Sequence, residues 1–170
     1  FYFKKLESSM PLVTVILPTW NRVKWLKSSL DSVLGQTFKD FELVVVDDGS
    51  TDSTSEFLKN YSGRIRSIIF DRNLGVSKAR NEAISNSSSE WLAFLDSDDY
   101  WTKNKLFEQI NFMENFNYDF TFTNYTPFIS KKNKKFFKKE IIAPEFFNYN
   151  QFKYNTSIAT SSMIIKKRTI

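Results

Sequence analysis

From Leu12 onward the chain alternates short β-branched runs with stretches whose apolar residues recur at helical spacing. That alternation is the signature of βαβ units around a largely parallel sheet. LVTVIL at 12–17 predicts a first strand, stopped by Pro18. Val23, Leu26, Leu30, Val33 and Leu34 then mark one face of a helix that Asn21 is placed to cap and Gly35 to end. FELVVVDD at 41–48 is continuously apolar at its centre, which predicts a strand covered on both faces with acid at its carboxyl end. Ser53 and Glu56 make the S-x-x-E pattern of a capping box ahead of Phe57, Leu58 and Tyr61, so a second helix is predicted just past DDGST. RIRSIIF at 64–70 predicts a third strand, and 76–86 a third helix. WLAFLD at 91–96 predicts a fourth strand that again ends in carboxylates, and Thr102 is placed to cap a fourth helix presenting Leu106, Ile110 and Met113.

The order changes after about residue 117. YDFTFTNYTPFI alternates aromatic and polar residues, with Tyr118, Phe120 and Phe122 on one face, as in a strand with one wet side. A Lys-rich segment, a Phe/Asn-rich stretch and the apolar piece SSMIIKK at 161–167, which reads as a strand, follow. The chain ends at Ile170 directly after it, an odd place for a domain to stop, so truncation at the C-terminus is expected.

Composition narrows the chemistry. At 170 residues, with 41% hydrophobic and 25% charged residues, the chain has the balance of one ordinary globular domain. It has no Cys and no His, which removes disulfides, thiolate zinc sites, cysteine nucleophiles and histidine bases. Acids, bases and metal ligands are left to Asp, Glu, Lys and Tyr. Its four glycines, Gly35, Gly49, Gly63 and Gly75, fit neither G-x-G-x-x-G nor a Walker loop. No apolar run approaches the ~18 residues of a membrane span, and FYFKKLESSM lacks the apolar stretch of a signal peptide. These features predict a soluble, cytoplasmic protein. The net charge of +5 divides unevenly: residues 1–130 hold 14 Lys+Arg against 17 Asp+Glu, and 131–170 hold 10 against 2. The excess sits in KKNKKFFKK at 131–139, so FISKKNKKFFKK at 128–139 is placed to touch anionic lipid at the inner membrane face, or else forms a solvated hairpin or loop.

In open α/β sheets ligands bind beyond the carboxyl ends of the strands. That rule selects PTWNR at 18–22, then Asp47, Asp48, Gly49 and Ser50, and then Asp96, Ser97, Asp98 and Asp99. Mg²⁺ is usually held by one or two carboxylates with substrate phosphates and water, which an Asp-x-Asp at a strand end can provide. Asp96 and Asp98 share a side if the extended geometry persists, so one could hold a ribose hydroxyl and the other a cation. Turn and cap chemistry is the plainer reading of the same acids, with Asp99 or Thr102 capping the next helix. An EF-hand is disfavoured, because its acid order and closing Glu are missing.

Four blocks resemble the family-2 glycosyltransferases of GT-A fold: VTVILPTWNR at 13–22, SVLGQTFKDFELVVVDDGSTDST at 32–54, RNLGVSKARNEAI at 72–84 and WLAFLDSDDYW at 91–101. TSSMIIKK at 160–167 is similar to a later, less distinctive segment of that family. The resemblance implies a Rossmann-like, mostly parallel sheet flanked by helices. It divides the chain into an extension (1–11), a nucleotide-sugar-binding part (12–117) and the start of an acceptor-side part (118–170). It also implies that Pro18, Thr19, Trp20, Asn21 and Arg22 lie against base and ribose, and that Asp48, with Asp47 beside it, accepts a hydrogen bond from the base, uracil in most relatives. Trp20 stands where Tyr is usual. Arg80 would lie near base or phosphates, Gly75 would permit close backbone approach, Asp96 would contact ribose, and Asp98 would coordinate Mn²⁺ or Mg²⁺ bridging the diphosphate. Without the resemblance, Pro18 merely ends a strand, Trp20 is a core aromatic, and Arg80 pairs with Glu82 or Asp71.

The implied reaction is transfer of a sugar, with inversion, from a nucleotide diphosphate (a UDP-sugar) to a hydroxyl of a glycan or lipid-linked acceptor. In relatives the catalytic base lies downstream of the segment like TSSMIIKK, so no base is assigned among Glu140, Glu145 or other acids, and the chain is expected to bind donor and metal but turn over poorly. Two other readings remain at this point: a sugar-phosphate nucleotidyltransferase, whose usual Gly-rich signature PTWNR lacks, and a non-enzymatic basic surface module. Nucleic acid is not expected as a partner, since the crevice is rimmed with Asp.

Overall fold

Where apolar runs alternate with amphipathic stretches, the chain builds a sheet with helices on both faces. The computed structural model describes residues 10–131, 134–145, 150 and 158–170. Most of the N-terminal extension, two residues of the Lys-rich segment and most of the Phe/Asn-rich stretch lie outside the described residues.

The elements run β1 (Val13–Thr19), α1 (Val23–Leu34), β2 (Phe41–Asp47), α2 (Thr54–Lys59), β3 (Arg66–Ile69), α3 (Val76–Ser85), β4 (Trp91–Phe94), α4 (Lys105–Phe116) and β5 (Phe120–Thr121). A hairpin, β6 (Phe128–Lys131) and β7 (Lys134–Phe137), and then β8 (Ile164–Lys166) follow. The six-stranded sheet has the order β3-β2-β1-β4-β8-β5. β1 to β4 are mutually parallel, and β8 enters antiparallel between β4 and β5. This is the expected mostly parallel α/β sheet.

Strand alternation sorts the core into two layers. Val13, Val15 and Leu17 of β1, with Leu43 and Val45 of β2, pack against Leu26, Leu30 and Val33 of α1 and Leu106, Ile110 and Met113 of α4. Ile16, Val44, Val46 and Leu92 face the other way, onto Ala79 and Ala83 of α3. β2 is covered on both faces, as its unbroken apolar run predicts. Among the described residues no helix is long and apolar enough to cross a membrane.

Several boundaries differ from the sequence reading, each for a local reason. Pro18 does not stop β1, which continues to Thr19 paired with Asp47. Trp91 and Leu95 donate N–H to the carbonyls of Leu12 and Ile16, so the even-numbered peptides of β1 face β4. Pairing with β4 ends at Ile16 and Phe94, and the missing N–H of Pro18 falls beyond it. Asn21 does not cap α1; the N-cap is Arg22, without a side-chain cap bond, while Gly35 does end the helix. The Ser53–Glu56 box does not form either. Asp52 accepts the N–H of Thr54 at 2.9 Å instead, and Ser53 makes no side-chain cap bond. Thr102 supplies only a carbonyl to the Lys105 N–H, and α4 begins after Asn104. The aromatic strand shrinks to β5, because Asn117 turns left-handed (φ 54°) and stacks Tyr118 on Phe116 of α4; Phe120 and Phe122 do share a side, with rings 5.7 Å apart.

Gly49 carries a tight constraint at the carboxyl edge. Its φ is +68°, and a Cβ there would lie 2.2 Å from the Arg72 carbonyl carbon. Gly63 shares the positive φ, +81°, but faces open space. Gly49→Ala should therefore cost about 2–4 kcal/mol, a fall in Tm of roughly 5–12 °C, whereas Gly63→Ala should cost only about 1 kcal/mol. Thermal melts in which both variants fall equally would contradict this reading.

Candidate functional site

The carboxyl ends of β1, β2 and β4 open on the same edge, and buried carboxylates fix the loops there. Asp48, 3% exposed, accepts the backbone N–H of Leu74 at 2.7 Å and of Gly75 at 2.9 Å. The close passage of Gly49 over Arg72 and Asn73 delivers those two donors to the carboxylate. Gly75 itself sits at φ 94°, ψ 149°, a conformation open essentially to glycine alone, and α3 starts directly after it. Asp47 is fully buried and bound within its own loop, accepting from the Ser50 N–H and the Ser55 hydroxyl. Asn21, left-handed at φ 51°, accepts the N–H groups of Thr51 (2.8 Å) and Asp52 (3.2 Å) and donates its own N–H to Ser50 Oγ. The PTWNR and DDGST loops are thus laced together.

Between them lies a cavity of about 320 Å³, lined by Pro18, Thr19, Trp20, Arg22, Asp48, Val76, Arg80, Asp96, Ser97 and Asp98. Arg80 pairs there with Asp96 (2.6 Å), rather than with Glu82 or Asp71. Its Nε, like Thr19 Oγ1, is buried without a hydrogen-bond partner. Buried polar atoms ordinarily find partners, so both are capacity that a polar ligand can take up. Trp20 is no core aromatic: half of it is exposed, at the cavity wall. The Asp98 carboxylate is half exposed, with Arg22 Nε 3.8 Å away.

Eight of the site residues expected from the sequence, Pro18, Thr19, Trp20, Arg22, Asp48, Arg80, Asp96 and Asp98, line this one cavity. Asn21, Asp47 and Gly75 do not line it; they hold the surrounding loops. No group of three or more acids among the described residues is placed to hold a metal alone. One half-exposed carboxylate at Asp98, held loosely by Arg22 and completed by phosphate oxygens and water, is a donor set that Mg²⁺ or Mn²⁺ accepts.

Ser161 is a further residue of the site, outside those expected from the sequence. It lies in the turn at Thr160–Ser162 that precedes β8. Its hydroxyl oxygen accepts the Asp96 N–H at 3.0 Å and its O–H donates to Asp99 Oδ2 at 2.6 Å, while its carbonyl accepts Trp101 Nε1 at 2.7 Å. Burial pushes the Asp99 carboxyl above its ordinary range, with Asp98 and Asp96 pushing the same way against the Ser161 bond. Only the weak TSSMIIKK match pointed to this segment. A second, larger cavity of about 1350 Å³ adjoins the first through Arg22 and Asp98, and its wall includes Trp101, Lys105, Phe128 and Glu140. Lys105 is buried without an ion pair among the described residues; it lies 4.3 Å over the Trp101 ring and donates to Gln109. Loss of hydration pushes its pKa down to about 7.

The model of the family described as Glycosyl transferase family 2 matches residues 14–170. The chain is 36% identical over 160 residues to TuaG of Bacillus subtilis (strain 168), named as a teichuronic acid biosynthesis glycosyltransferase, covering 92% of this chain and 63% of that protein. It is 34% identical over 157 residues to WfgD of Escherichia coli, a UDP-Glc:α-D-GlcNAc-diphosphoundecaprenol β-1,3-glucosyltransferase, covering 92% of this chain and 60% of that one. The chain therefore spans about three-fifths of these relatives' length. S. aureus TarS in complex with UDP superposes with a TM-score of 0.60 at 34% identity, over 64% of this chain and 33% of that one. The Pyrobaculum calidifontis mannosyltransferase PcManGT in complex with GDP-Man and Mn²⁺ gives 0.55 at 26% identity, over 61% and 32%.

Lys105 yields a pH-dependent prediction. Its folded pKa lies below the ordinary lysine value of 10.5, so folding disfavours the charged form. The penalty is full below about pH 7 and fades as pH rises toward 10.5, so the wild type gains stability across that window. Lys105→Met, measured by urea unfolding, should be on the order of 1–3 kcal/mol more stable than wild type at about pH 7, with the gap closing or reversing by about pH 10. A gap that does not move with pH would contradict the desolvated amine.

Proposed function

The chain belongs to glycosyltransferase family 2, and on that premise we propose that the cavity at the carboxyl edge receives the nucleotide diphosphate of an activated sugar, a UDP-sugar, for transfer with inversion to a hydroxyl acceptor. The observation that carries the proposal is the convergence of Asp48, the Arg80–Asp96 pair and Asp98 on one cavity that holds two unpartnered buried polar atoms. The UDP held by the neighbour TarS and the GDP-Man with Mn²⁺ held by PcManGT support it.

In this reading residues 12–117 form the donor part and 118–170 begin the acceptor side. Pro18, Thr19, Trp20 and Arg22 flank base and ribose. Asp48 already accepts two N–H bonds, and each oxygen keeps a lone pair for the base. Asn21, Asp47 and Gly75 act by holding those loops in place. Asp96 meets the ribose, with Arg80 fixing its carboxylate and adding positive charge toward the phosphates. Asp98 would hold Mn²⁺ or Mg²⁺, which supplies neutralisation of the departing diphosphate. The acceptor would then enter through the larger cavity, which meets the donor cavity at Arg22 and Asp98. The acceptor is proposed to be a glycan or lipid-linked hydroxyl, the latter as for WfgD, at the inner face of the membrane.

Calorimetric titration tests the reading. UDP should bind in the presence of Mn²⁺, with GDP and CMP weaker, and Asp98→Ala should lower the affinity by about ten-fold or more, roughly the loss of one strong charge contact. UDP affinity indifferent both to Mn²⁺ and to Asp98→Ala would overturn the assignment of Asp98.

A further inference from the structure

The β6–β7 hairpin has two unlike faces. Register pairs Phe128 with Phe137 and Ser130 with Lys135 on one side, and Ile129 with Phe136 on the other. The first side packs toward the body of the protein: Phe128 meets Tyr100 at 5.5 Å, Lys135 lies 3.8 Å over the Tyr100 ring, and Phe128, Ser130 and Phe137 line the larger cavity. The opposite side is turned to solvent, with Ile129 43% and Phe136 54% exposed, and Phe137, at the open rim of the larger cavity, is itself 61% exposed. Lys134 falls on that side by register, Lys138 and Lys139 follow the strand exposed, and residues 131–139 contain six lysines and no acid, with Glu140 next in the chain.

An exposed aliphatic–aromatic pair in a lysine-rich hairpin matches the boundary of an anionic bilayer: the apolar side chains enter the headgroup layer while the ammonium groups stay with the phosphates. We propose that the outer face of the β6–β7 hairpin, through Ile129, Phe136, Lys134 and Lys138, is a peripheral docking surface for anionic phospholipid. Since the inner face of the same hairpin walls the larger cavity, docking brings that cavity to the lipid surface. The consequence of docking for acceptor access rests on the reading of the larger cavity given above.

Vesicle co-sedimentation of the intact chain tests it, using phosphatidylcholine alone and phosphatidylcholine with about one-third phosphatidylglycerol. The chain should sediment with the anionic vesicles only, and less as salt rises. Lys134→Ala with Lys138→Ala should weaken binding roughly thirty-fold, and Ile129→Ser with Phe136→Ser about ten-fold or more. Neither pair should change UDP affinity, so a folding defect or a failed donor reading shows separately in that titration. Equal binding to neutral vesicles, no vesicle binding, or lipid binding insensitive to both variant pairs would overturn the proposal. So would tighter, Phe136-independent binding to a single-stranded oligonucleotide.

Discussion

A buried carboxylate needs donors, and at Asp48 those donors come from residues 26 and 27 positions further along the chain. Leaving such a charge uncompensated would cost several kcal/mol, so the end of β2 and the start of α3 have to meet if the charge is to be buried at all. Gly49 allows the meeting because no Cβ intrudes on Arg72, and Gly75 because its backbone takes a conformation other residues avoid. The floor of the cavity and the satisfaction of Asp48 are therefore one structural event. Arg80 follows from it: α3 begins at Val76, and its second turn carries the guanidinium to Asp96 beyond β4.

The opposite wall depends on a strand that arrives late in the chain. β8 inserts between β4 and β5 in the reverse direction, so the turn preceding it lands beside the carboxyl end of β4. Ser161 in that turn bonds the Asp96 backbone, the Asp99 carboxylate and the Trp101 indole, and so orients the acidic loop that presents Asp98. Without that strand the loop would be held from the helices, by Ser29 of α1 at the carbonyls of Ser97 and Asp99 and by Arg80 of α3 at the Asp96 carboxylate.

The strands were legible because burial leaves a direct signature: the unbroken LVVV of β2 and the alternation that sends Val15 to α1 and Ile16 to α3 both follow from side-chain period. Eight residues of the candidate cavity were legible as well, since ligand sites collect at the carboxyl edge of such sheets and the blocks there resemble a known family. Caps were not. Asn21 and Ser53 each fit a local capping pattern, yet contact between two loops commits Asn21 to the DDGST backbone, and the neighbouring Asp52 takes the Thr54 N–H in place of Ser53. Ser161 was invisible because its partners lie 60 to 65 positions away, and Lys105 because an ordinary lysine at a helix start gives no hint of burial against Trp101.

If this edge is a donor site, a divalent cation and a pyrophosphate must share the space between Arg80 and Asp98. Crystals of the chain soaked with UDP and Mn²⁺, measured at the manganese absorption edge, test that directly. The account predicts an anomalous peak within coordination distance of an Asp98 carboxylate oxygen and uracil density against Asp48. A manganese peak elsewhere, with nucleotide density confined to the larger cavity, would contradict it.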